Sequence, residues 1–136
     1  MTTYTQLTPQ QVFDRALFGL RKQGRLSMAP SGGCAYRGSD GNKCGIGFCI
    51  DDDALATRMD HADGGGNTSI GNLLGHEELP ELDLILGNVS IDLLDNIQVA
   101  HDTDLFCFNE LDKWEDSMRL LAEEYALYYT PPEQQP

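Results

Sequence analysis

A mainly helical α+β domain packed around one short β-hairpin is the fold class this sequence predicts, and three observations predict it. The stretch Cys34–Ile50, CAYRGSDGNKCGIGFCI, has Asp40-Gly41 at its middle, a dipeptide that two-residue hairpin turns favour because it tolerates φ > 0. Apolar residues recur at helical spacing on both sides of that stretch. At 136 residues the chain has enough length for a single core, so residues 1–130 read as one globular domain and 131–136 as a C-terminal tail.

In chain order, Thr8-Pro9-Gln10-Gln11 is a capping box with proline at the first helical position. Val12, Phe13, Ala16, Leu17 and Leu20 then share one helix face. Arg21 and Lys22 suit the negative pole of that helix, and Gly24 suits its exit. Gly19, inside the helix, costs about 1 kcal/mol relative to alanine and suggests the close approach of another backbone. The hairpin strands are expected over about Ala35–Gly38 and Lys43–Cys49, with Gly41 at a φ > 0 turn position. A lone hairpin is marginal, so helices must cover one of its faces. Asp51-Asp52-Asp53 opens a short helix over Ala54–Met59, and Gly64-Gly65-Gly66 reads as a mobile surface loop. Ile70, Leu73 and Leu74 make a brief helical turn ended by Gly75, and Leu79-Pro80 starts a short segment reaching Leu86. Ser90 caps a helix with Leu94, Ile97 and His101 on one face. Asp112 caps the last helix, whose stripe Trp114, Met118, Leu121, Tyr125 and Tyr128 runs on until Pro131-Pro132 stops it.

The net charge of −13 conceals an asymmetry. Through Cys49 there are six basic residues against two acidic ones, a balance of +4; from Ile50 onward three basic residues face twenty acidic ones, a balance of −17. Such a surplus keeps a domain soluble, repels nucleic acid and attracts basic partners. Direct nucleic-acid binding is therefore not expected. The first ten residues hold no basic run followed by an apolar core, so no secretory signal is expected. The apolar runs fall far short of the ~20 residues that span a membrane. A cytoplasmic protein with reduced thiols is the expectation.

Metal and catalytic patterns are weak. Cys34, Cys44, Cys49 and Cys107 lack the tight pair spacing of structural zinc sites, and His61, His76 and His101 add no fixed partner. Small buried cysteines serve equally well as core residues. No P-loop or dinucleotide fingerprint is present, and Gly45-Ile46-Gly47 falls within an expected strand instead of opening a helix. No catalytic residue, metal ligand or cofactor is assigned. Tyr36, Arg37 and Lys43, an aromatic beside two cations, could instead stack a base and hold a phosphate.

The chain resembles a family of small uncharacterised proteins encoded by tailed bacteriophages. The matching residues are Lys22-Gln23-Gly24, Ser27-Met28, and the run Cys34-x-Tyr36-Arg37-Gly38-x-Asp40-Gly41-x-Lys43-Cys44-x-Ile46-Gly47. Ile50-x-Asp52, Gln98-x-x-His101-Asp102, Trp114 and the ending Leu121-Ala122 to Tyr125-Ala126-Leu127 match as well. The triple glycine and Cys49 depart from the pattern. The resemblance implies a phage origin and action in the cytoplasm of the infected bacterial host, and it supplies no catalytic residues.

Together these readings lead to a non-enzymatic phage accessory protein that binds and modulates a host protein with a basic surface. Carboxylates spaced along helices can imitate a phosphate backbone and inhibit a nucleic-acid-binding defence component. The candidate contacts are Asp92, Asp95, Glu110, Asp112, Glu115, Asp116, Glu123 and Glu124. One alternative is a module that sequesters a small anionic signalling nucleotide through Arg21, Arg25, Tyr36, Arg37 and Lys43. Another is a small metal-dependent enzyme.

Overall fold

Thr8 starts α1 (Pro9–Gln23), the longest helix among the described residues, where the capping box places it. Its hydroxyl accepts the Gln11 N–H at 3.1 Å, while its own N–H donates to Gln11 Oε1 at 2.9 Å. A cap of this kind is worth about 0.5–2 kcal/mol. Val12, Phe13, Ala16, Leu17 and Leu20 are fully buried, and Gly24 ends the helix at φ 65° with its N–H on the Leu20 carbonyl. The computed structural model describes residues 5–24, 36, 43–61, 70–75, 77, 79–100 and 111–135. Among these residues α1 is followed by a 3₁₀ turn (Ile46–Cys49), α2 (Asp53–His61), α3 (Ile70–Leu73), α4 (Pro80–Leu86), α5 (Ile91–Ala100) and α6 (Leu111–Glu124), with a further 3₁₀ turn (Pro132–Gln134) after α6.

No β-strand occurs among the described residues, which overturns the expected α+β class and its hairpin. The second predicted strand, 43–49, is instead a turn followed by 3₁₀ helix. Phe48 N–H reaches the Cys44 carbonyl and Ile50 N–H reaches that of Gly47, both at 3.2 Å. The first strand, apart from Tyr36, lies outside the described residues, as do Asp40-Gly41 and the triple glycine. The physical reason is packing. The turn wedges between α1 and α5, and its glycines are needed for closeness. A Cβ on Gly45 would lie 2.7 Å from Ile97 Cγ2, and one on Gly47 2.4 Å from the Tyr36 carbonyl oxygen. A strand's alternating exposure is absent here, because Cys44 to Gly47, Cys49 and Ile50 are all buried.

Backbone groups that a sheet would have paired find side-chain amides instead. Gln23, at the end of α1, takes both main-chain groups of Lys43: its Nε2 donates to the carbonyl and its Oε1 accepts the N–H, each at 2.7 Å. Gln10, at the start of α1, does the same for Tyr128, each bond 2.9 Å long. Tyr36 N–H is held by Asp60 Oδ1 of α2 at 2.8 Å.

The remaining helices follow their apolar patterns. Asp52 Oδ1 accepts the N–H groups of Ala54 and Leu55, opening α2 as the aspartate run predicts. Gly75 leaves α3 at φ 81°, and Pro80 occupies the first turn of α4. Arg58 of α2 pairs with Glu81 of α4, and this holds the Glu81 carboxyl below its ordinary range. Leu93, Leu94, Ile97 and Ala100 of α5 meet Trp114, Met118, Leu121 and Ala122 of α6 in the core. His101 lies outside the described residues.

Two details of α6 depart from expectation. It starts at Leu111, so Asp112 sits inside the first turn and does not cap it. It also stops at Glu124, short of Tyr128. Leu127 N–H returns to the Ala122 carbonyl at 2.8 Å and Ala126 N–H to that of Glu123 at 3.4 Å, a Schellman ending with Ala126 at φ 55°. The reversal sends 127–135 back along α1. Residues 131–135, read from sequence as a tail, contact it there through Gln135, whose Nε2 donates to the Phe18 carbonyl.

Gly19 of α1 makes room for a side-chain ring, not a backbone: an added Cβ would lie 2.4 Å from Phe48 Cγ. Gly19→Ala should therefore lower stability by up to about 2 kcal/mol, overpacking outweighing the gain in helix propensity. In a Phe48→Ala background the same substitution should stabilise by about 1 kcal/mol in urea unfolding. Equal effects in both backgrounds would show that the ring is not seated on Gly19.

Ala126→Gly should raise stability by about 0.5–1 kcal/mol, because a left-handed alanine costs ~1–2 kcal/mol and glycine gives back part of that in entropy. A thermal melt reads the sign. A fall in melting temperature would contradict the Schellman ending.

Candidate functional site

Asp92, Asp112, Asp116, Glu123 and Glu124 lie on the outer sides of α5 and α6, two helices whose inner sides are buried together. Asp92 is exposed in the first turn of α5, where the positive pole favours it. Asp112 is exposed in the first turn of α6 for the same reason. Glu123 and Glu124 are exposed in the last turn of α6, a turn that holds no basic residue and where the dipole disfavours carboxylates. These four form no ion pair among the described residues. Asp116 is exposed and pairs loosely with Arg119, one turn on, at 3.4 Å.

The other predicted contacts are placed differently. Asp95 is half-buried against α3, where a Cβ on Gly71 would stand 3.5 Å from its Oδ2, and its Oδ1 is buried without a hydrogen-bond partner. Glu110 lies outside the described residues. Glu115 faces α1 and is held in a two-pronged grip by Arg21: Nε to Oε1 at 2.5 Å and Nη2 to Oε2 at 2.9 Å. Tyr129 OH also donates to Glu115 Oε2, and Arg21 Nη1 reaches Gln135 Oε1 at 3.1 Å. The Arg21 guanidinium lies 5.3 Å from the centre of the Tyr129 ring.

That grip decides how two of the sequence-derived residue sets fare. Arg21 was a candidate for anion binding and Glu115 for partner binding, and they satisfy each other. Their side chains are only 8% and 17% exposed. Burial would push the Arg21 pKa down, but hydrogen bonding and charge from Glu115 outweigh it and the value is raised. Burial, then the same carboxylate, pushes the Tyr129 hydroxyl up.

Of the remaining anion-site residues, Tyr36 is 4% exposed, so its ring offers no open face for the base stacking expected of it. Lys43 is half-buried with Nζ 5.7 Å from the centre of the Phe48 ring. Arg25 and Arg37 lie outside the described residues. Cys44 and Cys49 are free thiols in the core; burial pushes the Cys49 thiol up to about 12, which makes it a poor nucleophile at neutral pH. Among the described residues no group of three or more His, Cys, Asp or Glu comes together, and Cys34, Cys107, His76 and His101 are not among them.

One feature of this face was not read from sequence. A groove of about 290 Å³ runs between α5 and α6, floored by Val99, Ala100, Leu120 and Leu121. Asn96, Ser117 and Glu124 supply its polar edge. Val99 is 55% exposed and Leu120 56%. The available signal was that both are large apolar residues standing off the buried stripes of their helices. Asn96 Nδ2 donates to Tyr125 OH at 3.1 Å and ties the two helices together at one end of the groove.

Arg21→Ala should destabilise the fold by about 2–4 kcal/mol, since it leaves the nearly buried Glu115 carboxylate without its cation and with the Tyr129 hydroxyl as its remaining bond. Arg21→Ala with Glu115→Gln should recover part of that loss in denaturant unfolding. No recovery would show that the two residues act independently.

Among the described residues no helix is long and apolar enough to cross a membrane. Comparison of the chain with protein-family models, with curated proteins and with solved structures finds no match.

Proposed function

We propose that this chain is a non-enzymatic binding protein that engages a basic surface of another protein through the carboxylates of α5 and α6. The observation that carries the reading is the set Asp92, Asp112, Glu123 and Glu124, exposed on two adjacent helices and without an ion pair among the described residues. Two of them, Glu123 and Glu124, sit at the helix pole that disfavours them, a local cost of the kind found where function overrides stability. The −17 balance beyond residue 50 extends the same field over the rest of the chain and would speed the approach of a cation-rich partner. Resemblance to tailed-phage proteins makes that partner a host protein in the cytoplasm of an infected bacterium. A phosphate-like row of carboxylates suits a host DNA-binding or defence protein, whose nucleic-acid site it would occupy.

The test is capture from host lysate. A basic nucleic-acid-binding protein should be retained at about 50 mM salt and released near 500 mM, as screening shortens the reach of exposed charges. The captured protein should lose its DNA in a gel-shift assay when the chain is added. The fourfold variant Asp92→Asn, Asp112→Asn, Glu123→Gln, Glu124→Gln should fail in both assays. Equal capture by that variant, or a captured protein that keeps its DNA, would overturn the reading.

A further inference from the structure

The groove between α5 and α6 is open, apolar along its floor and acidic at its edge. We propose that it receives one amphipathic α-helix of the partner protein, with leucine-like residues facing the groove and lysine or arginine flanking them. The inference rests on the acidic-surface reading above and names the part of the partner that surface takes.

Four observations support this occupant. Val99 and Leu120 each leave more than half their surface to solvent while standing beside the buried Ala100 and Leu121, so covering them extends an existing core. The lining of α6 runs from Ser117 to Glu124, two helical turns or about 10 Å at 1.5 Å per residue, which matches anchors at i, i+3 or i+4, and i+7 of an incoming helix. Charge complementarity selects a basic helix. Glu124 is in the groove wall, Glu123 is exposed beside it, and Asp92 lies one turn before Asn96 on the same side of α5. Finally, none of the described helices of this chain supplies that helix. A second copy would bring the same acidic edge, and its basic helix α1 has already buried Val12, Phe13, Ala16, Leu17 and Leu20.

The experiment uses two labelled peptides of about 18 residues with identical lysine and leucine content, one with leucines at helical spacing and one scrambled. Binding to the full chain is read by fluorescence anisotropy at low salt, with circular dichroism for peptide helicity. The helically spaced peptide should bind at least about tenfold tighter and become helical. Leu120→Asn and Val99→Asn should erase that preference while leaving the salt-sensitive binding of both peptides. These side chains are exposed, so the variants should melt near the parent temperature. If the two peptides bind equally, the groove is not the receptor, though the acidic-surface reading stands. If neither binds at low salt, the acidic-surface reading fails and takes this inference with it. If Leu120→Asn instead abolishes a dimer seen by sedimentation, the occupant is a second copy and the proposal is wrong.

Discussion

The grip of Arg21 on Glu115 is the interaction by which the last helix and the segment after it are held on the first helix. It joins the first long helix to the last, and it is the most buried ion pair among the described residues. Two further groups are set by it: Tyr129, whose hydroxyl shares the carboxylate and whose ring lies by the guanidinium, and Gln135, which bonds the remaining nitrogen. A planar fork with five donors can hold a carboxylate, an aromatic face and an amide at once, and lysine could not. The chain after α6 thereby lies along α1. Glu115 is also withdrawn from the acidic face, so the charge exposed there is sorted by burial and not by sequence position.

α1 organises the rest through its two ends. Gln10 and Gln23, thirteen residues apart on one helix, each present a side-chain amide that accepts and donates as a strand edge would. A segment that needs two main-chain bonds can obtain them from such an amide without a neighbouring strand. This explains how 43–49 can lie against helices as a 3₁₀ turn with its backbone partly satisfied. It also explains the local crowding of glycine, since Gly19, Gly45 and Gly47 each meet another group closer than a Cβ allows.

On the far side, α5 and α6 carry features that stability alone does not call for. Glutamates stand at a negative helix pole, alanine occupies a left-handed position just beyond, and large aliphatic side chains face water. Each is a small cost, and they lie within about two turns of one another near the end of α6. Costs concentrated in this way are what the proposed role of this surface would account for.

Much of the helical content could be read without coordinates, for a simple reason: caps and apolar stripes act within a few residues. Thr8 with Gln11, Gly24, Asp52, Gly75, Pro80 and the buried faces of α1 and α5 are all local signals of this kind. The hairpin was misread because Gly-Ile-Gly looks the same whether glycine serves a strand or a close approach; only the position of Ile97 and of the Tyr36 carbonyl tells them apart. The end of α6 was misplaced because a 3–4 stripe continues past Glu124, while the chain reverses at Ala126 without a glycine to announce it and then bonds to Gln10 of α1, more than a hundred residues away in sequence. The acidic character of α5 and α6 was legible from composition. Which carboxylates remain exposed, and that an apolar groove runs between them, followed only from which faces the tertiary structure turned inward, because burial is a property of the whole packed chain and not of any single stretch.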